Sequence, residues 1–426
     1  MTETAAFVPA FPAGLLRGAP EDPAGGEPLA AYLARGGYGT WTDLSATEAG
    51  ALLAKLQAAA LAGRGGAQFP AHRKLRAVRD RPGPDKVVVV NGSEHEPGSV
   101  KDRMLLARLP HQVLEGALLA AGIVGAGRIL IAVNAEALAA LAAIRSAAGE
   151  WRAAWPEAAS ACAVEVVPVP DAYLVGEETA LLEVLEGREP LPRKRPPYPT
   201  EAGLGGRPTL VQNVETLAWL PPVLAAAEGG MARSMLCSLG PEFAHPGVHE
   251  VPLGIPLRDL LYGIGGGLRD GAALQAVQVG GPALAFLGPD RFDLPLDDAA
   301  LRSVGSGLGC GVVRAFSEHD CMIDEIAALM AFFAEASCGQ CPECRMETNM
   351  CLAILRQVQA GKGSEALLAR IPQLFELAEG KGLCGLIAMP QAPLRSGLEL
   401  FEGAFAAHLS GAGCPVCRES VTRLAG

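Results

Sequence analysis

The chain has 426 residues, half of them apolar and 19% charged, with a formal net charge of −11. That length and apolar content can bury a large core over about two to four domains and argue against a disordered chain. The acidic balance argues against a nucleic-acid binder, because the single short basic run, Arg193-Lys194-Arg195, offers too little to hold a phosphate backbone.

Residues 1–45 are rich in Pro, Gly and Ala with weak periodicity, and read as a surface-hugging arm. Residues 1–18 carry no basic region ahead of an apolar segment, so no secretory signal is expected. A helix is expected over about residues 46–62, N-capped by Ser45 or Thr47, and it runs into Gly63-Arg64-Gly65-Gly66. Residues 86–90 form a β-branched run that predicts a buried parallel strand. A helix over 111–122, a strand over 128–133, a helix over 136–148, a strand over 163–169 and a helix over 177–185 follow. Strand and helix in alternation predict an α/β layer with right-handed crossovers, closing near Gly230. Residues 231–302 show short strand and turn signals at 251–261 and 274–280, on either side of Gly265-Gly266-Gly267. The longest uncharged stretch, 271–289, contains Gln275, Gln278 and Pro282 and reads as strand and turn, so no membrane span is expected. From Ser303 the pattern turns helical, with helices expected over 322–336, 349–359, 364–378 and 394–407, before a tail at 409–426 that holds Cys414 and Cys417.

There are eleven cysteines, seven of them after Cys321. Such crowding without an export signal points to metal or redox chemistry in the cytoplasm and away from a disulfide framework. In Cys338-Gly339-Gln340-Cys341-Pro342-Glu343-Cys344 three thiols recur at every third residue, a loop able to wrap three corners of an iron–sulfur cubane. Cys384, between Leu383 and Gly385, is the natural fourth corner; Cys351, on an apolar helix face, competes less well. A structural zinc held by Cys338, Cys341, Cys414 and Cys417 is the rival. Cys162, Cys237, Cys310 and Cys321 read as small core residues.

Gly63-Arg64-Gly65-Gly66-Ala67-Gln68-Phe69-Pro70 lets backbone N–H groups approach a phosphate or a flat ring, although its spacing is not the dinucleotide fingerprint. Asn91-Gly92-Ser93-Glu94-His95-Glu96 leaves the carboxyl end of the strand at 86–90, where α/β sheets take ligands, and Gly176-Glu177-Glu178-Thr179 opens a helix soon after the strand at 163–169. Three loops converging on one sheet edge describe a cofactor pocket.

Taken together and in this order, these motifs resemble the NADH-oxidising 51 kDa flavoprotein subunit of complex I and its relatives in soluble hydrogenases and formate dehydrogenases, over about residues 46–409. The resemblance implies an FMN-binding α/β domain at 46–230, a small β-grasp module at 231–302 and an α-helical iron–sulfur bundle at 303–408. It implies FMN at Arg64, Gly65, Lys74, Asn91, Ser93, Glu94, Gly176, Glu177, Gln212 and Asn213. NAD(H) would lie at Gly66, Ala67, Phe69, Glu96, Tyr173, Glu178, Arg195 and Tyr198, with Phe69 and Tyr198 stacking on the adenine. A [4Fe–4S] cluster would sit on Cys338, Cys341, Cys344 and Cys384. Electrons would run from NADH through FMN to the cluster and on to a thioredoxin-like [2Fe–2S] subunit or a ferredoxin, in association with a membrane complex where there is one. The family usually has Gly at Gln68, an aromatic at Ala77, Asp at Ser93, Lys at Arg195 and Asn at Gln212. Gln68 adds bulk and Ala77 removes a stacking face, so two alternatives stand beside NADH oxidation: electron exchange with a ferredoxin at an impaired NADH site, and a structural or interaction subunit without redox chemistry.

Overall fold

The computed structural model describes residues 6–8, 14–16, 26–46, 48–83, 85–226, 233–411 and 413–417. In chain order the strands are β1 (Ala6–Val8), β2 (Lys86–Gly92), β3 (Ala126–Asn134), β4 (Ala163–Val169), β5 (Thr209–Asn213), β6 (Ser234–Leu239), β7 (Gly247–Pro252), β8 (Leu274–Val279), β9 (Phe286–Leu287) and β10 (Val312–Ser317). The chain separates into two units. One comprises Met1–Ser238, Gly247–Leu253 and Gly309–Gly311; the other comprises Leu239–Pro246, Gly254–Leu308 and Val312–Gly426.

The first unit is a mixed α/β fold around a four-stranded sheet of order β4-β3-β2-β5. Every pairing in it is parallel, with Val88 opposite Ile129 and Ile129 opposite Val164. Because side chains alternate along a strand, the valine run of β2 serves both faces. Val88 and Val90 join Ile129, Ile131 and Leu114 on one side. Val87 and Val89 join Leu130, Leu181 and Leu182 on the other. A sheet covered on both faces requires such an unbroken apolar run, which is why β2 is legible in the sequence. β3 and β4 coincide with or extend the expected strands by a residue or two, and the helix Pro110–Val124 packs against β2 and β3, buried for almost its whole length. β5 has no counterpart in the sequence reading; Thr209–Asn213 is short and ends in two amides, so it gives little strand signal. The helices Ala71–Arg79 and Lys101–Arg108 are likewise not anticipated: the first is rich in exposed charge, and the second buries the charges of Lys101 and Asp102, so neither shows a plain apolar stripe.

One expectation is sharpened and one needs correction. Residues 26–46 follow the surface, most of them exposed or half-buried, but they are pinned to it by two tyrosines. Tyr32 and Tyr38 are fully buried. The Tyr32 hydroxyl donates to the Glu115 carboxylate, the Tyr38 N–H donates to the same carboxylate at 2.9 Å, and the Tyr38 hydroxyl meets His111 Nδ1 at 2.9 Å. A buried carboxylate on the central helix needs donors, and this segment supplies them. Residues 14–16 are bound in the same way, with the Leu15 and Leu16 N–H groups donating to Glu250 at 2.5 and 3.0 Å. The helix expected from residue 46 runs over Ala49–Ala58 instead, with Glu48 at its N-cap, because a 3-10 turn occupies Asp43–Ala46. Of the two expected caps, Ser45 lies in that turn and Thr47 lies outside the described residues.

In the second unit β8 pairs antiparallel with β9 and with β10. Of the strand and turn signals at 251–261, the strand part is the end of β7, which belongs to the first unit and stops at Pro252, and Asp259–Ile264 in the second unit is helical. Met322–Ala336 forms as expected. The next helix starts earlier than expected, at Pro342, because a proline fits the first helical position, where its missing N–H costs nothing. The helix expected over 364–378 divides into Glu365–Leu368 and Arg370–Ala378, and the one over 394–407 into Gln391–Leu400 and Glu402–Leu409. Their apolar faces close a core of Ile323, Met330, Phe333, Leu355, Phe375 and Phe405. Among the described residues no helix is long and apolar enough to cross a membrane.

Two helical glycines separate packing from propensity. A Cβ on Gly116 would lie 2.0 Å from the Leu217 carbonyl oxygen, whereas one on Gly149 would meet nothing within 4 Å. Gly116→Ala is expected to destabilise by about 1–3 kcal/mol or more through overpacking. Gly149→Ala, in the exposed interior of Leu138–Ala154, is expected to stabilise by about 1 kcal/mol. Denaturation midpoints of the two variants check the opposite signs.

Candidate functional site

The order of the first sheet reverses at β2: the chain adds β3 and β4 on one flank and β5 on the other. The crevice outside the carboxyl ends of the strands at such a reversal is where open α/β sheets take ligands. There Asn91 and Asn213 are direct register partners at the ends of β2 and β5. Four pieces of chain gather around them.

The first is the glycine loop. Its neck is closed by Gly63 N–H donating to the Phe69 carbonyl at 2.8 Å and Ala71 N–H to the Leu61 carbonyl at 2.9 Å. A Cβ on Gly65 would sit 3.2 Å from the Asn213 Cβ, so the loop crosses the end of β5 as closely as a backbone without side chains allows. Gly66 has φ +109 and open space where a Cβ would be. Gln68 adopts φ 52, the left-handed conformation glycine prefers, and its Nε2 donates to the Gly309 carbonyl at 2.9 Å. The bulk expected to crowd this loop is therefore fastened to Gly309.

The second piece follows β2. Asn91 Nδ2 donates to the Gly176 carbonyl at 3.0 Å, and the Ser93 hydroxyl donates to Asn91 Oδ1 at 2.6 Å, which fixes the amide. The Glu94 carboxylate is already engaged: it accepts from Ser99 Oγ at 2.7 Å and from the Asp102 and Arg103 N–H groups at 2.9 and 2.8 Å. It thus serves the start of Lys101–Arg108, whose Arg103 guanidinium also donates to the Glu94 carbonyl at 3.1 Å. Burial, with Asp102 nearby, raises its pKa. Burial also pushes the Glu96 carboxyl up to about 7, against the opposing hydrogen bond from the Tyr173 hydroxyl at 3.1 Å.

The third piece is the helix Glu178–Leu185, whose N-cap is Glu177, accepting from the Thr179 and Ala180 N–H groups at 2.9 Å each. A Cβ on Gly176, just before it, would meet only Ser93 Oγ, at 3.9 Å. Lys74 Nζ lies 2.6 Å from Glu178, and the Arg195 guanidinium lies 3.5 Å from Glu178 and 3.7 Å from Glu177. Glycines at 66 and 176 leave the room that a flat ring or a phosphate needs, with two cations, Lys74 and Arg195, nearby. Phe69 and Tyr198 are 51% and 53% exposed, aromatic faces open to solvent. Ala67 completes the glycine loop, and Gln212 is buried in β5 opposite Val90.

The fourth piece is the floor, which sequence reasoning missed apart from Arg64 and Asn213. Lys101 is fully buried, 2.8 Å from Asp102 and 3.0 Å from Glu215. Burial opposes its charge, but Asp102, Glu215 and Glu94 outweigh burial and hold its pKa above the usual lysine range. Asp102 also accepts from Asn213 Nδ2 at 2.6 Å and from the Glu215 N–H at 3.2 Å. Glu215 accepts from the Leu236 N–H at 3.0 Å and lies 4.0 Å from Arg64 Nε. Arg64 is anchored through its own N–H to Thr216 Oγ1 at 2.8 Å and through its guanidinium to the Ser234 carbonyl at 3.0 Å. No local pattern announces such a network, because its members come from separate elements.

In the second unit the cysteine loop joins two helices. Ser337 ends Met322–Ala336, Gly339 turns the chain at φ +78, and Cys341 is the N-cap of Pro342–Gln359, with buried Cys344 in the first turn. Gln340 Nε2 approaches Cys338 Sγ at 3.6 Å, and the Leu383 N–H donates to Cys341 Sγ at 3.3 Å, which brings the Cys384 loop to the same place. Amide donors on sulfur suit thiolate ligands. One turn further on, burial pushes the Glu347 carboxyl up to about 8, with the Gln391 side chain opposing. Cys351 is fully buried in the helical core. The zinc arrangement considered from sequence is not formed: Cys414 and Cys417 gather with Cys321 and His408, away from Cys338 and Cys341. Cys321 lies in the helical core, as expected, with its sulfur beside this group.

A family profile described as the Nuo51 FMN-binding domain matches residues 56–221, and one described as the NADH-ubiquinone oxidoreductase-F iron-sulfur binding region matches 324–408. The chain is 35% identical over 379 residues to the F subunit of the NADH-quinone oxidoreductase of Streptomyces coelicolor, covering 85% of this chain and 84% of that one. It is 30% identical over 407 residues to the HndC component of the NADP-reducing hydrogenase of Solidesulfovibrio fructosivorans, covering 92% and 83%. Among solved structures, an NAD+-reducing [NiFe]-hydrogenase in the H2-reduced state superposes with a TM-score of 0.78 at 29% identity, over 91% of this chain and 67% of that one.

Lys101→Met is nearly isosteric and would leave Asp102 and Glu215 buried without their cation. A loss of about 3–5 kcal/mol is expected, because breaking a buried pair strands a charge. Adding Glu215→Gln should recover part of it. Thermal unfolding of the single and double variants checks both statements.

Proposed function

We propose that this chain, which belongs to the family of the NADH-quinone oxidoreductase F subunits, holds FMN in the crevice at the ends of β2 and β5 and receives NADH on the same side. The chain is an NADH dehydrogenase-type oxidoreductase that passes electrons from NADH through FMN to a [4Fe–4S] cluster and on to a partner protein. FMN supplies two-electron acceptance of a hydride and release of electrons one at a time, which the cluster can carry singly. The observation that carries the assignment of residues is the register pair Asn91–Asn213 with the glycine loop crossing it at Gly65.

On this reading the N–H groups of Gly65 and Gly176 approach the flavin, while Asn91, Ser93, Gln212 and Asn213 offer amide and hydroxyl groups already oriented by their neighbours. Arg64 gives the floor a positive charge next to a ligand that is anionic at its phosphate. Lys74, Glu177 and Glu94 would help hold FMN. Toward NADH, Gly66 and Ala67 let the dinucleotide pass over the loop, Phe69 and Tyr198 stack on the adenine, and Glu96, oriented by Tyr173, accepts from ribose hydroxyls. Glu178 and Arg195 line the approach. Hydride transfer requires no acid–base residue, and none is assigned. In the second unit Cys338, Cys341, Cys344 and Cys384 hold the cluster, supported by the N–H and amide donors that point at their sulfurs. We assign residues 231–302 to a β-grasp module and 303–408 to the helical cluster-binding bundle, with residues 409–426 as a tail. The partner that accepts the electrons is a thioredoxin-like [2Fe–2S] protein or a ferredoxin, in the cytoplasm.

The test is an anaerobic titration with NADH, followed by visible absorption and then by electron paramagnetic resonance of the reduced cluster. Flavin bleaching followed by a cluster signal is expected; flavin and iron that do not respond to NADH would refute the reading. In Cys384→Ser the cluster signal should be lost or altered while flavin stays bound, and loss of flavin with an intact cluster would count against separate sites.

Glu96 adds a pH dependence. Its carboxyl titrates at about 7 in the folded chain, so it is charged above that pH and protonated below it. KM for NADH is expected to be flat above pH 7 and to rise as pH falls through it. Glu96→Gln should raise KM at pH 8 by about tenfold, the size of one hydrogen bond to a charged group, and remove the dependence. The pH profile of KM in both proteins checks this.

A further inference from the structure

We propose that Cys321, His408, Cys414 and Cys417 form a mononuclear zinc site that fastens the chain end to the start of the helix Met322–Ala336. The four ligand atoms all lie within 4.8 Å of one another. His408 Nε2 is 3.5 Å from Cys321 Sγ and 3.8 Å from Cys417 Sγ, and the Cys414 and Cys417 sulfurs are 3.5 Å apart. A tetrahedral zinc with Zn–S of ~2.3 Å and Zn–N of ~2.0 Å places its ligand atoms about 3.5–3.8 Å apart. The side chains therefore already surround a space of the size and donor set of a single ion. An iron–sulfur cubane needs sulfurs spread around a whole cage, so this group is too tight to be a second cluster. A soft set of three thiols and one imidazole selects zinc over magnesium, calcium or manganese.

The local sequence builds the site. Cys321 is the N-cap of Met322–Ala336, and His408 lies in the last turn of Glu402–Leu409. Gly411 at φ +75 and Gly413 at φ +67 then turn the chain back, so that the C-x-x-C pair meets the histidine it follows. The backbone N–H groups of Val416 and Cys417 turn toward the Cys414 sulfur, as they do where a C-x-x-C turn wraps a metal. Cys321, His408 and Cys414 are all less than a tenth exposed, in keeping with a closed structural site without an open coordination position. Cys321, Cys414 and Cys417 fall outside the iron–sulfur region matched at 324–408, so this set is separate from the proposed cluster ligands. Binding releases the thiol protons and exchanges no electrons, so the site needs no co-reactant. The proposal stands whether or not the chain oxidises NADH.

The experiment is zinc and iron analysis of the full chain, purified anaerobically from zinc-supplemented medium, with X-ray absorption at the zinc edge. One zinc per chain is expected, with three sulfur neighbours and one nitrogen neighbour. Zinc should fall at least tenfold in the double variant Cys414→Ser, Cys417→Ser. A protein without zinc, a shell of four sulfurs (zinc misplaced in the cluster cradle), zinc retained in the double variant, or a Cys414–Cys417 disulfide in the anaerobic protein would overturn the proposal. Should the double variant not fold, the absorption shell of the unaltered protein decides alone.

Discussion

A lysine ammonium with almost no access to water can persist only if its charge is answered at close range, and Lys101 between Asp102 and Glu215 is the constraint from which the first unit is organised. Each carboxylate that answers it is also fixed from another direction. Asp102 takes the Asn213 amide and thereby holds the end of β5, and Glu215 takes the Leu236 N–H and faces Arg64, thereby holding the glycine loop. The loop, the strand end and the start of the next helix therefore cannot shift independently. A crevice built on a floor of this kind is shaped before its ligand arrives, so little binding energy is spent on ordering the protein.

The legibility of the sequence follows from where the physical cause lies. β2 and β3 can be read because their cause is local: an apolar, β-branched run suited to burial on both faces; the edge strand β4 is read from its valines. β5 cannot, because Thr209–Asn213 becomes a strand through its neighbour, with Gln212 and Asn213 placed by register against Val90 and Asn91. Tyr32 and Tyr38 look like parts of a loose arm because Glu115, the carboxylate that draws them in, lies some eighty residues away. Spacing alone singles out Cys338, Cys341 and Cys344 as candidate cluster ligands. The set of Cys321 and His408, separated by 87 positions, needs the fold to bring it together.

Gln68 shows how a departure from a family pattern can be misjudged by residue type alone. A side chain where glycine is usual suggests obstruction, yet the position asks first for a backbone conformation. Gln68 adopts that conformation at φ 52 and ties its amide to the Gly309 carbonyl. A left-handed non-glycine residue costs roughly 1 kcal/mol, which one good hydrogen bond offsets. The loop keeps its path, and the side chain becomes a tether.

That tether belongs to a wider arrangement, since the first unit is discontinuous: Gly247–Leu253 and Gly309–Gly311 return to it after the chain has begun the second. Glu250 from the first return captures Leu15 and Leu16, and Gly309 from the second captures the glycine loop. During synthesis, the first unit cannot reach its final form until residue 311 has left the ribosome. For the same reason no single cut releases the first unit whole. A fragment ending near residue 238 would keep all four parallel strands and still lack the carboxylate that holds its beginning and the carbonyl that holds its loop.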